Sequence, residues 1–460
     1  MNEQIDKIFE AQKAFFATGE TLSVKFRKRQ LYKLCKALTQ WDKRICDALW
    51  QDLHKSYEEA YLTETSIVLS EAKEACHKVK SWARREWKMP VMAVMPSMSY
   101  VVKEPLGTTL IVSPWNYPVQ LLLCPLIGAL AAGCTAVLKP SPYVPHVSQV
   151  IADMISETFP PEYVTVVQGN RDVNKALFDK PFDLIFYTGS PAVAHTVMEA
   201  AAKHLTPVVL ELGGKSPCII DRTANIDIAA KRIAWGKTLN SGQTCIAPDY
   251  ILIHSDVKDA FVQAFQRHLK ALHGSDPQQS QHYVRMVSDK AFQRVSSYLS
   301  QGRILCGGHT DAQERYIEPT LLDEVALDAP VMQEEIFGPI FPIITLDDSQ
   351  GTTFAQKVAQ FVNARPKPLA FYFFGKEKTG WQLIHTTSSG GACINDNIMH
   401  IVNTHMPFGG VGNSGMGRYH RRESFEAFSH RRSVLVSPRC LDVPFRYMPY
   451  KLFKFIKHIV

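Results

Sequence analysis

The sequence has no pair of cysteines separated by two residues, although ten cysteines are scattered along its 460 residues. Such scatter in a long chain is typical of reduced thiols, and it favours neither a disulfide framework nor a cysteine-rich metal site. No uninterrupted apolar run reaches the roughly 18 residues that suggest a membrane span. The first six residues are polar and acidic, so a secretion signal is not indicated. We therefore expect a cytoplasmic protein and predict no metal site.

The charge is also unremarkable for a chain of this length. Hydrophobic residues make up 46% and charged residues 21%, with a net charge of +7 and an isoelectric point near 8.7. Because the charges are interspersed and no basic block stands out, nucleic acid binding is not predicted. A soluble globular chain of this length has two or three domains as its natural organisation.

Three separated segments carry residue types that together suit acyl chemistry. Glu211 follows an apolar strand-like run and precedes two glycines, and Cys245 lies 34 residues later in the loop Asn240-Ser241-Gly242-Gln243-Thr244. A thiolate attacks carbonyl carbons, and a carboxylate can activate water. Asn116, between Pro114 and Pro118, offers an amide that could stabilise an oxyanion. Taken singly, each has an ordinary alternative: a packed thiol, a turn-forming amide or a strand-end carboxylate.

The order of apolar runs predicts the fold class. Residues 3–85 have helical periodicity, and 98–104 are strand-like and could form half of a protruding hairpin. Two series of alternating strands and helices follow, which predict parallel sheets with helices on both faces and ligands at the carboxyl ends of the strands. The predicted strands are 108–113, 134–138, 163–167, 183–187 and 206–212 in the first series, then 217–220, 249–254, 341–345, 369–374 and 391–394 in the second. Surface loops are predicted at 274–282 and near the glycines of 302–308.

A helix start at Thr188-Gly189-Ser190-Pro191 is a candidate phosphate site. Ser190 suits the N-cap and Pro191 the first helical turn, and free amides at a helix N-terminus attract a pyrophosphate. On these residues alone, a cap without a ligand is an equally good interpretation.

Two glycine motifs are false matches to nucleotide-binding patterns. Gly214-Lys215-Ser216 copies the end of a P-loop, but Val209 occupies the position of the required first glycine. Gly410-Val411-Gly412-Asn413-Ser414-Gly415 fits GxGxxG but follows Met406-Pro407-Phe408 and not a strand. We interpret the second motif as a tight loop.

Read in order, these motifs resemble the aldehyde dehydrogenase family, and in detail its class 3 branch. The resemblance rests on Pro114-Trp115-Asn116, on Glu211-Leu212-Gly213-Gly214-Lys215-Ser216-Pro217, on Gly242-Gln243-Thr244-Cys245, on Glu334-Glu335-Ile336-Phe337-Gly338-Pro339, and on Pro407-Phe408-Gly409-Gly410. It implies two doubly wound parallel-sheet domains with a small β oligomerisation element. The implied ranges are 1–88 with 104–210 for dinucleotide binding, 211–422 for catalysis, 89–103 with 423–445 for oligomerisation, and 446–460 for an amphipathic tail.

The resemblance also assigns roles. It implies that Cys245 attacks an aldehyde, that Asn116 holds the oxyanion, and that Glu211 activates the water that releases a carboxylic acid. NAD or NADP would accept the hydride, and a homodimer is expected. The residues implied in binding the dinucleotide are Trp115, Lys139, Gly189, Ser190, Leu212, Glu335 and Phe337.

Two positions depart from the family pattern. Pro142 stands where an acidic residue usually follows Lys139-Pro140-Ser141, and that acid would repel a 2′-phosphate. We therefore predict that NADP is accepted at least as readily as in relatives that keep the acid. Arg421-Arg422 stands where class 3 members commonly have Gly-Lys, which makes the local backbone turn uncertain.

Several alternatives stay open at this level. A CoA-acylating enzyme would pass the thioester to a thiol, although it does not need Glu211, and a catalytically silent binding protein could share the fold. Apolar and aromatic residues in the last third favour medium to long aliphatic or aromatic aldehydes. The basic tail 450–460, with Leu452, Phe453, Ile456, Ile459 and Val460 on one helical face, would cover the substrate entrance or make peripheral membrane contact.

Overall fold

The computed structural model describes residues 2–349, 351–442, 446–450 and 457. The apolar tail residues named above lie outside this range, so the tail prediction stays a prediction. Within the range, no helix combines the length and the apolar character that crossing a bilayer requires.

The chain begins with a helical layer. Leu31, Leu34 and Leu38 recur at the helical period and are fully or almost fully buried, while Ser23 caps their helix by accepting a hydrogen bond from the Phe26 amide. The helices of this layer are α1 (Asn2–Ala17), α2 (Val24–Leu53), α3 (Tyr57–Ala60) and α4 (Ser66–Trp82), with a π-helical turn over Tyr61–Thr65 before α4.

A six-stranded sheet follows. It is parallel, as predicted, apart from one antiparallel edge strand that was not predicted. Helix α5 is buried along its whole length against this sheet. The elements in chain order are β1 (Glu86–Lys88), β2 (Met98–Pro105), β3 (Thr108–Val112), α5 (Gln120–Ala132), β4 (Thr135–Lys139), α6 (Pro145–Thr158), β5 (Val164–Val166), α7 (Arg171–Phe178), β6 (Leu184–Gly189), α8 (Pro191–Ala202) and β7 (Val208–Leu212). Strands β3 to β7 all belong to this sheet, in the spatial order β7-β6-β3-β4-β5.

The second sheet has seven strands, in the order β10-β13-β14-β9-β8-β15-β16. Its elements are β8 (Pro217–Ile220), α9 (Ile226–Thr238), β9 (Tyr250–His254), α10 (Lys258–His273), α11 (Asp289–Ser296), β10 (Arg303–Cys306), β11 (Thr310–Asp311), β12 (Tyr316–Ile317), β13 (Thr320–Asp323), α12 (Pro330–Gln333), β14 (Ile340–Leu346), α13 (Phe354–Asn363), β15 (Ala370–Phe374), α14 (Glu377–Thr386) and β16 (Gly391–Ile394).

The prediction of a surface loop near residues 302–308 is wrong for Arg303–Cys306, because these residues form strand β10. This strand pairs antiparallel with β13 and carries an irregularity between Ile304 and Cys306. An edge strand of this kind is only partly buried, and Arg303 and Ile304 are exposed, so it lacks the apolar run that marked the inner strands.

The chain then returns to the first sheet and ends in a third. Strand β17 (Gly415–Met416) pairs antiparallel with β7, and after α15 (Arg422–Ala427) the strand β18 (Ser429–Val436) pairs along the whole of β2. With β1 on its other side, β2 is the centre of a three-stranded antiparallel sheet. The strand predicted at 98–104 is therefore confirmed, although its longest pairing is with a segment more than 300 residues away.

Candidate active site

A cavity of about 260 Å³ lies where the strands of the first sheet end. Three loops reach it because the carboxyl ends of parallel strands meet at one edge: Trp115 and Asn116 follow β3, Ser190 follows β6, and Gly213 follows β7. Every site residue expected from the sequence lines this cavity except Lys139. The lining residues from that set are Trp115, Asn116, Gly189, Ser190, Glu211, Leu212, Cys245, Glu335 and Phe337.

The loop that carries Cys245 is held in a tight conformation. Asn240 and Ser241 both have left-handed backbones, with φ of 50° and 53°. Gly242 follows with φ of 70°, and a Cβ there would collide with the carbonyl of Gly338. The Gln243 side chain fixes the loop to the neighbouring chain, because its Nε2 donates to the Arg285 carbonyl at 3.1 Å while its Oε1 accepts from the Val287 amide at 3.1 Å.

The Cys245 thiol sits in a negative, desolvated environment. Burial raises its pKa to about 12, and the charges of Glu335 and Glu211 add to the rise, whereas the amides of Cys245 and Ile246 oppose it. The sulfur is therefore protonated at neutral pH in the protein alone. The sequence offered no cation near this residue, and none is among the groups that shift its pKa.

The side chain of Asn116 points at the nucleophile loop. Its Nδ2 donates to the Gln243 carbonyl at 3.1 Å, and its main-chain oxygen accepts from Lys55 Nζ at 3.2 Å and from Asn240 Nδ2 at 3.0 Å. The residue is almost completely buried, so the amide is oriented by the fold and not by solvent. An amide held in this way can donate to an oxygen that develops negative charge.

Glu211 is a buried carboxylate whose oxygens are both without a hydrogen-bond partner among the residues described. Burial raises its pKa well above its usual range. Gly409 packs closely behind it, where a Cβ would be 3.3 Å from Oε1. A carboxyl group of raised pKa facing a cavity is a stronger base than an ordinary glutamate once it is ionised.

Glu335 and Phe337 form another part of the cavity lining. Burial raises the pKa of Glu335 to about 8, helped by the charge of Asp249 and opposed by a hydrogen bond from the Gly214 amide. A Cβ on Gly213 would collide with the Glu335 carboxylate, so any other residue there would force that carboxylate to move. The ring of Phe337 meets that of Trp115 edge to face, with centroids 5.4 Å apart.

The features expected to bind a dinucleotide fit that group at the first sheet. Ser190 is the N-cap of α8 but makes no side-chain capping bond, so the first amides of the helix remain available to a pyrophosphate. Lys139 ends β4 outside the cavity; its Nζ donates to the Pro140 carbonyl at 2.8 Å, and burial lowers its pKa to about 8. Pro142 is exposed three residues further on.

Sequence reasoning missed two polar residues of the cavity. Arg294, on α11, donates to the carbonyls of Glu335 at 3.2 Å and Ile336 at 2.8 Å, so it holds the main chain that carries the Glu335 wall. Tyr419 is 1% exposed, and its hydroxyl has no hydrogen-bond partner within the described part of the chain. Neither lies in a recognisable motif, although Tyr419 follows the glycine-rich segment by only a few residues.

The two false motifs have structural explanations. Lys215 forms a short ion pair with Asp249 and donates to the carbonyls of Val331 and Glu334, so its ammonium group is occupied by the protein. The GxGxxG segment is a tight loop closed by a bridge between Gly412 and Gly415, which then begins β17.

The turn at His420 and Arg421, where the sequence departs from the family pattern, has a strained backbone that side chains of helix α4 hold in place. His420 and Arg421 have φ of 80° and 54°. The buried carboxylate of Glu71 accepts from the Arg421 amide at 2.6 Å and contacts His420 Nδ1 at 3.1 Å, while the Arg421 guanidinium pairs with Glu74. This turn directly follows Tyr419, so Glu71 supports one wall of the cavity.

Comparison with known proteins identifies the family of the chain. The sequence profile described as "Aldehyde dehydrogenase family" matches residues 1–434. The chain is 46% identical over 457 residues to the 4,4'-diaponeurosporen-aldehyde dehydrogenase of Staphylococcus aureus, covering 98% of each protein. It is 43% identical over 437 residues to the dimeric NADP-preferring aldehyde dehydrogenase of Rattus norvegicus, covering 95% of each.

Solved structures give the same result. The substrate-bound state of Staphylococcus aureus AldH superposes with a TM-score of 0.96 at 45% identity, covering 99% of both chains. The NAD+ complex of an aldehyde dehydrogenase from Bacillus cereus superposes with a TM-score of 0.85 at 26% identity, covering 95% of this chain and 89% of that one.

Proposed function

The chain belongs to the aldehyde dehydrogenase family and is an NAD(P)-dependent enzyme that oxidises aldehydes, and we propose that Cys245, Asn116 and Glu211 carry out the reaction. The observation that carries this assignment is that the three side chains, from three distant parts of the sequence, line one cavity of about 260 Å³. A thiol, an oriented amide and a basic carboxylate are the groups that oxidation through a thioester requires.

The first step is attack of the Cys245 sulfur on the aldehyde carbon. The thiol must first lose its proton, which passes to solvent through the cavity that the Cys245 side chain lines. A C–S bond forms, the carbonyl electrons move to oxygen, and the remaining N–H of the Asn116 side-chain amide stabilises the resulting oxyanion. When bound, NAD(P) supplies the acceptor for the hydride that leaves this carbon.

Loss of the hydride leaves a thioester on Cys245, and Glu211, still ionised, then acts. As a base, it removes a proton from water, which attacks the thioester carbon and releases the carboxylic acid and the thiol. Among the residues that the structure describes, none forms a hydrogen bond with either Glu211 oxygen, which leaves both oxygens available to this water. A CoA-acylating reaction would not need such a base, so its presence favours hydrolysis.

The dinucleotide would lie across the ends of the first sheet. The amides after Gly189 and Ser190 would hold the pyrophosphate, while Trp115, Leu212 and Phe337 would surround the nicotinamide end. Glu335 would accept a hydrogen bond from the nearby ribose. The cradle that Gly213 leaves for the Glu335 carboxylate supports that role, since any side chain there would displace it.

Lys139 and Pro142 bear on the choice of cofactor. Lys139 would reach the adenosine ribose or its 2′-phosphate after releasing the Pro140 carbonyl, and Pro142 adds no negative charge beside it. We therefore propose that NADP is accepted at least as readily as in relatives that keep an acidic residue at this position. The name of the rat relative, "dimeric NADP-preferring", supports the proposal.

The lining of the cavity favours apolar substrates. Leu121, Leu369 and Phe408 contribute to it together with the aromatic rings already described. We propose medium-chain or long-chain aliphatic aldehydes or aromatic aldehydes. The Staphylococcus aureus relative is named for 4,4'-diaponeurosporen-aldehyde, which supports this class.

The outer sheet is suited to self-association. Among the residues that the structure describes, strand β18 has a partner on one side only. On this sheet Trp87, Leu435 and Val436 are each more than half exposed. A free strand edge next to exposed apolar side chains is suited to pairing with a second copy, so we propose a homodimer. The domain ranges expected from the sequence, with 89–103 and 423–445 as the oligomerisation element, are part of this proposal.

The remaining proposals concern the setting of the enzyme. All ten cysteines are free thiols, which supports a reducing location such as the cytoplasm.

We also propose that the tail 450–460 covers the substrate entrance, with peripheral membrane contact as the alternative. If deletion of residues 449–460 changes neither liposome binding nor aldehyde selectivity, both ideas about the tail fail.

One experiment tests the central assignment. A Glu211→Gln variant mixed with an apolar aldehyde and NAD(P)+ should accumulate an acyl group on Cys245, detected as an added mass on the intact protein and mapped by digestion. Cys245→Ser should show no such adduct and no reduced nicotinamide absorbance. An adduct on another cysteine, or turnover by Cys245→Ser at the wild-type rate, would refute the proposal.

A further inference from the structure

The connection between α2 and α4 contains a fully buried ion pair that the reaction proposed above does not use. Lys55 and Glu64 are both 0% exposed, and Lys55 Nζ lies 2.7 Å from Glu64 Oε1. Removing two charges from water is costly, and such pairs are seldom net stabilising compared with apolar residues of the same shape. The position of this pair therefore calls for an explanation other than fold stability.

Each member of the pair has a second contact, and both reach the Asn116 loop. Lys55 Nζ donates to the Asn116 carbonyl at 3.2 Å. The other Glu64 oxygen accepts from the Val119 amide at 2.8 Å and from the Gln120 amide at 3.4 Å. The pair thus holds the main chain at Asn116 itself and at the start of the helix that follows it.

The same connection also reaches the nucleophile loop. Glu59 accepts a hydrogen bond of 2.9 Å from the Asn240 amide, at one of the left-handed residues before Cys245. The Asn240 side chain then donates to both the Asn116 and Gln243 carbonyls at 3.0 Å. Residues 55–64 therefore contact the loop of the amide and the loop of the sulfur at the same time.

The local backbone is consistent with a specialised role. Glu64 belongs to the π-helical turn Tyr61–Thr65, an irregularity that is rare in helices and frequent at functional sites. Lys55 also lies 4.3 Å from the centre of the Tyr117 ring, and the Tyr117 hydroxyl is 2.7 Å from the Thr244 hydroxyl beside Cys245. The ammonium group thus packs against the Tyr117 ring, whose hydroxyl links the Asn116 loop to the Cys245 loop.

We propose that Lys55 and Glu64 are positioning residues that set the distance and direction of the Asn116 amide relative to the Cys245 sulfur. Neither residue lines the cavity, so both would act through the placement of Asn116. The inference rests on the proposed role of Asn116 in holding the oxyanion. A displacement of about 1 Å in such a group can cost about a hundredfold in rate, so loss of the pair should appear in kcat.

The test is a double-mutant cycle. Lys55→Met and Glu64→Gln are made alone and in an Asn116→Ala background, and steady-state rates are measured with saturating NAD(P)+ and an apolar aldehyde. We expect Lys55→Met to lower kcat by about tenfold to a hundredfold, with KM values changed less than about threefold. In the Asn116→Ala background the further loss should be less than about threefold, because there is no amide left to position.

A matched control separates positioning from general loss of a buried pair. Lys258→Met removes a 2.7 Å pair with Asp323 that does not line the cavity, and it should leave kcat unchanged. Each rate is divided by the concentration of folded enzyme, and thermal unfolding of each variant gives its folded fraction. Glu64→Gln keeps the size and one acceptor oxygen of Glu64, so it continues the test with a smaller expected loss if Lys55→Met does not fold.

The outcomes distinguish two failures. If Asn116→Ala loses activity but the losses in the double variants simply multiply, or if the Lys55 and Glu64 variants keep wild-type kcat, the positioning role is refuted and the proposed function stands. If Asn116→Ala itself keeps wild-type kcat, the role of the amide is refuted, and the positioning role fails with it.

Discussion

The Asn116 amide donates a 3.1 Å hydrogen bond to the carbonyl of Gln243, two residues before Cys245. A primary amide has two N–H donors, so one anchors Asn116 to the nucleophile loop and the other remains for a ligand. The loop that carries the sulfur therefore also orients the group proposed to stabilise the charge produced when that sulfur attacks.

Asn116→Ala should lower kcat by about 10²-fold to 10³-fold, the usual cost of removing one oxyanion donor. The dinucleotide KM should change little, because Asn116 is not expected to bind the cofactor. Steady-state kinetics by reduced-nicotinamide absorbance measure both. The matched control is Asn363→Ala, which removes an exposed 2.9 Å hydrogen bond from the Asn363 side-chain amide to the Thr386 carbonyl. Equal effects from the two variants would contradict the assignment.

Glu211 should make the protein less stable as the pH rises. Its pKa is about 4.5 when exposed and is raised by burial in the folded protein. The folded state therefore holds this proton more tightly, and each pH unit between the two pKa values costs the fold about 1.4 kcal/mol. Glu211→Gln removes that cost, so its stability advantage over the wild type should grow between pH 5 and pH 8.

Urea unfolding at several pH values measures this difference. Below pH 4.5 the Glu211 carboxyl group of the wild type is mostly protonated in both the folded and the unfolded state. The stability advantage of the variant should therefore be smallest there. Parallel stability curves for the two proteins across the whole range would show that Glu211 titrates normally, which would remove the physical reason for its strength as a base.

Pro142→Glu should shift cofactor use away from NADP. The new carboxylate, three residues after Lys139 on an exposed loop, would repel a 2′-phosphate and accept a bond from a 2′-hydroxyl. We expect kcat/KM for NADP to fall at least about tenfold relative to that for NAD, about 1.4 kcal/mol. For the wild type, a preference for NAD of more than about a hundredfold would contradict the prediction from the sequence.

Glu71→Ala should weaken both the fold and the substrate site. The buried carboxylate accepts from the Arg421 amide and contacts His420, and removing one partner from a buried network costs about 3 kcal/mol. Because Tyr419 precedes this turn, the aldehyde KM should also rise. Glu74→Ala removes only the pairing between the Arg421 guanidinium and the Glu74 carboxylate, which is 28% exposed, and should cost less than Glu71→Ala.

Much of the fold could be predicted because its strands are buried on both faces. Strands such as β3 and β9 are short runs of apolar residues between helical segments, and that pattern is visible in the sequence. Strand β17 could not be found in this way. It is two residues long, Gly415 and Met416, and it exists only because β7 provides an edge for it to pair with.

The residues of the candidate site likewise fall into those that the sequence could predict and those that it could not. Asn116, Glu211 and Cys245 lie in motifs with their own local signals, such as glycines and prolines that shape a loop. Lys55, Glu64 and Arg294 have no such signal, because each matters through contacts with residues far away in the chain. In the sequence they resemble ordinary surface charges of helices, and only tertiary contacts reveal that two of them are fully buried.

The pairing of Gly415 with Glu211 has a consequence for synthesis of the protein. Strand β7 leaves the ribosome about 200 residues before the segment that covers its outer side. During translation its unpaired backbone is open to the strands of other nascent chains, a known route to aggregation. Chaperone dependence should therefore be greatest for nascent chains that end between β7 and β17, and it should fall once Met416 has emerged.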